Sequence, residues 1–149
     1  MPKKLFSTAK LPGPDDTLRQ VFPNGSVLLA RSNPTSPAIA IRGMMLPGSI
    51  ADPIDKIGLA NFMASMLMSG TRQHSFRELN DLVESMGATL VFGSGKLATS
   101  FAGQCLREDL PQLLEILLEV LTQPAFPEKQ FQRTKIQILT AQAIQAQDT

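Results

Sequence analysis

The chain has 149 residues, 43% hydrophobic and 18% charged, with 14 basic and 13 acidic side chains. That is long enough for a real core and too apolar for a disordered chain. The net charge of +1 leaves no electrostatic footprint for nucleic acid or an anionic membrane, and one cysteine with one histidine rules out an internal disulfide or a conventional zinc cluster.

Residues 1–16 hold Pro2, Pro12, Gly13 and Pro14 and read as an extended lead-in, with Lys3, Lys4 and Lys10 as solvated charges. The lead-in lacks the apolar core of a signal peptide. No run of about 18 apolar residues exists for a membrane span. A cytoplasmic protein is therefore expected, or a periplasmic one if a leader has been removed.

Thr17 to Phe22 alternates polar and apolar residues, as a half-buried strand does. Pro23-Asn24-Gly25 is a hairpin turn signal, because Asn-Gly suits positive φ. Ser26 to Arg31 returns, and Ala38 to Leu46 forms a third, aliphatic strand that Pro47-Gly48-Ser49 ends. A helix then runs from Asp55 or Lys56 to Ser69, with Gly70 as its C′ residue. It is apolar nearly all round, which predicts burial on several sides, with Met63, Met66 and Met68 as core filling. Ser75-Phe76-Arg77-Glu78 is a capping box that opens a second helix ending at Met86, with Gly87 as αL cap.

Ala88 to Phe92 is a strand, Gly93-Ser94-Gly95-Lys96 a turn, and Leu97 to Leu106 the next strand. The turn resembles a phosphate loop only faintly. Leu90 and Leu97 stand where a P-loop needs Gly and Ser or Thr. A third helix from Glu108 to Thr122 places Leu110, Leu113, Leu114, Leu117, Leu118 and Leu121 on one side. Pro124 stops it, and Pro127 opens a fourth helix that continues to the chain end. Cys105 reads as a small buried thiol and His74 as a surface-loop histidine. This order of elements predicts an α+β domain: a mostly antiparallel sheet with helices packed on one face.

The stretch Gly58-Leu59-Ala60-Asn61-Phe62-Met63-Ala64-Ser65-Met66-Leu67-Met68-Ser69-Gly70-Thr71 carries the functional information. It resembles the zinc-site helix of the pitrilysin/insulinase family, the inverted zincins, whose frame reads roughly G-L-A-H-F-L-E-H-M-L-F-x-G-T. Positions 61, 64 and 65 are spaced i, i+3, i+4 and share a helix face. In active members that face holds H-x-x-E-H, two imidazoles for zinc and a carboxylate as general base. Here the three positions are Asn61, Ala64 and Ser65. An amide oxygen and an alcohol do not compete with imidazole for zinc, and alanine has no proton acceptor. Active members also take a third ligand, a glutamate, from the helix that here starts near Pro127. No Asp or Glu lies between Glu128 and Asp148.

The resemblance implies a mitochondrial processing peptidase-like roll, with residues 17–149 as its N-terminal α+β domain, truncated at the C-terminal end. No helix-stop signal precedes Asp148-Thr149, so a chain about twice as long or longer is expected. It implies no catalytic residue, no metal and no cofactor in this chain. Its partners would be a catalytic inverted-zincin subunit carrying H-x-x-E-H and a peptide substrate, with a homo-oligomer as the other arrangement. In relatives the strand matching Ala88 to Phe92 pairs with substrate backbone, which makes Val91, Phe92 and Gly93 the candidates here. The alternative is a structural or assembly protein of the same fold with no peptidase role.

Overall fold

The computed structural model describes residues 13–147. Most of the expected lead-in, residues 1–12, lies outside the described residues, and Pro14–Asp16 forms a 3-10 turn. The chain divides into two compact units, Met1–Ser36 and Pro37–Thr149.

The first unit is a hairpin. Strands β1 (Thr17–Val21) and β2 (Val27–Arg31) pair antiparallel with Val21 opposite Val27. Asn24-Gly25 turns as its chemistry demands. Gly25 has φ +84°, its N–H donates to Phe22 O at 2.9 Å, and the Asn24 Oδ1 accepts from the Ser26 N–H at 3.0 Å.

The second unit holds a three-stranded antiparallel sheet in the order β3-β5-β4, with β3 at Ala38–Met45, β4 at Thr89–Ser94 and β5 at Thr99–Leu106. The hairpin strands form a separate sheet among the described residues, where the sequence reading had one. One face of the three-stranded sheet carries Ile39, Ile41, Leu90, Phe92, Phe101 and Cys105 into the core. The other face exposes Met44 and Val91. Phe92 stands opposite Phe101 in register, with ring centroids 6.2 Å apart. A one-sided sheet of this kind is the expected α+β layer.

Helices α2 (Phe76–Ser85) and α3 (Leu110–Thr122) bury Leu79, Val83, Leu113, Ile116, Leu117 and Val120 in that core. The α2 start is the expected capping box. The Ser75 N–H donates to Glu78 Oε2 at 2.7 Å, and the Glu78 N–H donates to Ser75 Oγ at 3.4 Å. These bonds to Ser75, backbone first, hold the Glu78 carboxyl below its ordinary range. The leucine stripe of α3 is rotated from expectation. Ile116 and Val120 are inside, while Leu114 and Leu118 are exposed. At 100° per residue, 114 and 118 fall past the edge of the buried stripe set by 113, 117 and 120.

Two boundaries moved. The turn between β4 and β5 is Gly95 to Ala98 rather than Gly93 to Lys96, closed by a Gly95 N–H to Ala98 O bond of 2.8 Å. Gly93 and Ser94 pair with Ser100 and Thr99. The helix expected from Asp55 or Lys56 starts later, as α1 (Leu59–Met66), and tightens to 3-10 over Leu67–Ser69. Gly58, at φ +98°, interrupts any helix through residues 55–58, and Ile54–Lys56 is a separate 3-10 turn. The fourth helix, α4, is described over Glu128–Gln147.

Candidate functional site

Helix α1 is fixed at both ends by residues outside its three chemical positions. At its start the Asp52 carboxylate accepts from the Gly58 N–H at 2.8 Å and the Ala60 N–H at 3.0 Å. It so satisfies two donors that a helix N-terminus leaves open, and its charge suits that end of the helix dipole. At its end, Gly70 O accepts from the Ala125 N–H at 3.0 Å, and the Arg72 N–H donates to Gln123 O at 3.0 Å. This ties the turn after α1 to the chain leaving α3.

Thr71 completes the far anchor. Its hydroxyl donates to Glu119 of α3 and accepts the His74 N–H at 2.9 Å. His74 Nδ1 lies 3.0 and 3.1 Å from the two Glu119 oxygens. His74 is thus a half-buried partner of Glu119, not the solvated loop residue expected from its polar neighbours. Burial raises the Glu119 carboxyl, but the hydrogen bonds from Thr71 and His74 outweigh it and leave the group below its ordinary range. A lowered folded pKa means the contribution is whole above the unfolded value and fades as pH falls through the folded one. The stability difference between the native chain and Glu119→Gln is therefore expected to shrink below about pH 4.3. Urea denaturation across that range measures it, and a difference constant with pH would refute it.

The three positions of the zinc frame carry no imidazole and no carboxylate. Asn61 and Ser65 are exposed on α1, while Ala64 is 2% exposed and faces the interior. The Ser65 hydroxyl donates to Phe62 O at 2.7 Å, a bond within its own helix. The helix facing this surface, α4, contributes Phe131, Lys135, Ile138, Leu139 and Gln142, none of them an acid. These side chains do not fit a zinc ion. Cys105, 3% exposed, is no alternative nucleophile, since burial and the Asp109 charge push its thiol pKa up.

An open cleft of about 690 Å³ stands at the surface where the two helices meet. Phe62 of α1 and Phe131 of α4 touch with centroids 4.8 Å apart, and Asn61 and Ser65 line the same cleft. α1 is buried through Ala64 and Met66, as expected of a helix covered on several sides, and open on this side, where Leu59 and the preceding Ile57 remain exposed.

Of the edge-strand candidates, Val91 points to the open face of the sheet and Phe92 packs into the core. The Gly93 carbonyl accepts from the Ser100 hydroxyl at 3.4 Å. β4 pairs only with β5 among the described residues, so its other backbone edge has no strand partner there. Asp52, Glu119 and the cleft lysines Lys56 and Lys135 carry no motif that marks them in the sequence. For Glu119 a signal existed: an acid within the apolar helix Leu110 to Thr122.

An α+β layer that keeps the frame of a zinc-peptidase helix, with neutral side chains at the ligand positions, defines a metallopeptidase-type domain without the catalytic set. Residues 27–149 match the insulinase family, peptidase family M16, and the chain belongs to that family. It is 24% identical over 135 residues to the mitochondrial-processing peptidase subunit beta of Saccharomyces cerevisiae, covering 89% of this chain and 29% of that one. It is also 24% identical over 117 residues to an uncharacterized zinc protease of Bacillus subtilis, covering 78% of this chain and 29% of that one. A crystal structure of a peptidase M16 inactive domain from Pseudomonas fluorescens superposes with a TM-score of 0.82 at 22% identity, over 89% of this chain and 32% of that one. The chain thus spans about a third or less of the length of these relatives.

Proposed function

We propose that this chain acts as a zinc-free, non-catalytic subunit of a heteromeric zinc peptidase, as its N-terminal domain. It works beside a catalytic subunit that carries H-x-x-E-H, closes the chamber and helps bind the peptide substrate. One observation supports this above the others. Helix α1 is held in place at both ends, with an open cleft over the face that bears Asn61 and Ser65, while no side chain there can bind zinc or take a proton. The edge of β4 that pairs with no strand among the described residues adds a second surface. Its backbone groups over Val91 to Gly93 suit an extended peptide added as a further strand. The naming of the yeast relative as a subunit agrees with a multi-chain enzyme. The proposal places the protein in the cytoplasm, or in the periplasm if a leader is removed.

Mixing the purified chain with an H-x-x-E-H partner is expected to raise peptide hydrolysis above either alone, with zinc found only in the partner. Stoichiometric zinc in this chain would refute its zinc-free status. No gain on mixing would refute the subunit role and leave a structural or assembly protein of the same fold.

A further inference from the structure

We infer that the cleft between α1 and α4 takes an apolar peptide segment carrying an acidic side chain, aspartate or glutamate. This rests on the reading just given, since it names what the same site would hold.

The cleft is apolar in most of its lining: Ile57, Leu59, Phe62, Phe131, Ile138 and Leu139. Such walls favour apolar side chains of an occupant over water. Its charges are of one sign. Lys56, on the turn before α1, and Lys135, on α4, both line it, and no aspartate or glutamate does. Neither lysine enters an ion pair among the described residues. The nearby acid of the α1 start, Asp52, is engaged by the Gly58 and Ala60 N–H groups. The remaining polar groups, Asn61, Ser65 and Gln142, are neutral.

A cleft of one sign with low-dielectric walls favours the opposite charge in what enters it. A basic segment would meet like charge while losing hydration, and a neutral one would leave two ammonium groups unmatched. The lysines come from different elements that line the cleft, Lys56 from the turn before α1 and Lys135 from α4. The face that resembles a dication site has thereby become one that suits an anion.

Fluorescence anisotropy with the 149-residue chain tests this. The probes are short Ile/Leu/Phe-rich peptides, acetylated and amidated at their ends, with one central Glu, Gln or Lys. The Glu peptide is expected to bind about fivefold tighter than the Gln peptide, and the Lys peptide weakest. The preference should weaken as salt is raised. Lys56→Glu with Lys135→Glu changes two exposed side chains, and circular dichroism checks that the fold survives. That variant is expected to reverse the order of the three peptides. Equal affinities, or an unchanged order in the variant, would overturn the inference. A gain in hydrolysis on mixing without any charge preference removes this inference alone. A charge preference without that gain supports the cleft and removes the peptidase role.

Discussion

Ala64→Glu is expected to lower the unfolding free energy by about 3 kcal/mol. Asn61→His and Ser65→His are expected to stay within about 0.5 kcal/mol of the native chain. The three changes together would rewrite the frame as H-x-x-E-H, yet they are not equivalent. Asn61 and Ser65 are exposed, so an imidazole there remains hydrated. Ala64 is 2% exposed in a helix that packs on β4. A carboxylate placed there either loses its water without a partner or displaces α1 from the strand. Urea denaturation of the single variants measures the contrast. A destabilised Asn61→His with an unaffected Ala64→Glu would mean the helix face is misassigned. The triple variant is also expected to show no peptide hydrolysis. The facing side chains of α4 include no acid, and two imidazoles alone are not the ligand set of a catalytic zinc.

The second large effect is expected at Gly48. The turn it opens is laced to the β4–β5 loop by three backbone bonds: Gly48 N–H to Leu97 O at 3.0 Å, Ser49 N–H to Gly95 O at 2.9 Å, and Ile50 N–H to Lys96 O at 2.9 Å. A Cβ on residue 48 would lie 2.3 Å from Gly95 O, 2.5 Å from the Ala98 nitrogen and 2.8 Å from the Leu97 carbonyl carbon. All three are backbone atoms, so no rotamer change relieves the clash. The two segments must separate, and the bonds between them lengthen or break. At about 1 kcal/mol net for each bond, Gly48→Ala should cost about 3 kcal/mol. Gly93→Ala is the control. A Cβ there meets nothing within 4 Å, and a change under about 1 kcal/mol is expected. Thermal unfolding of the two variants distinguishes them, and equal losses would refute the steric account.

What the sequence disclosed and what it withheld divide along the range of the forces involved. Local chemistry was readable. Asn24-Gly25 turns the hairpin, Ser75 and Glu78 cap α2, and Gly87 closes it at φ +59°. Each acts within four residues. The frame from Gly58 to Thr71 pointed to both family and fold, and the strand expected over Leu97 to Leu106 stands at Thr99–Leu106. The α1 start differs from expectation because Gly58 breaks the helix there and the carboxylate that serves its first N–H groups, Asp52, lies six and eight residues before them. His74 was misread because its partner, Glu119, is 45 residues away. The strand end at Ser94 was missed because Gly and Ser tolerate both turn and extended backbone. The cleft was not visible at all. It exists only once α4 lies against α1, and Lys56 and Lys135 are unremarkable cations until they line one surface.

The anchoring of α1 by Asp52, Thr71 and Glu119 has an evolutionary consequence. None of those side chains sits at the ligand positions, and none needs an ion to act. Scaffold and chemistry therefore occupy separate residues in this motif. A lineage can drop the reactive set without loosening the framework, and the vacated surface is then free to drift toward a different binding preference. The remaining letters of the motif report ancestry and architecture, while activity would have been reported by the three replaced ones together with an acid on α4.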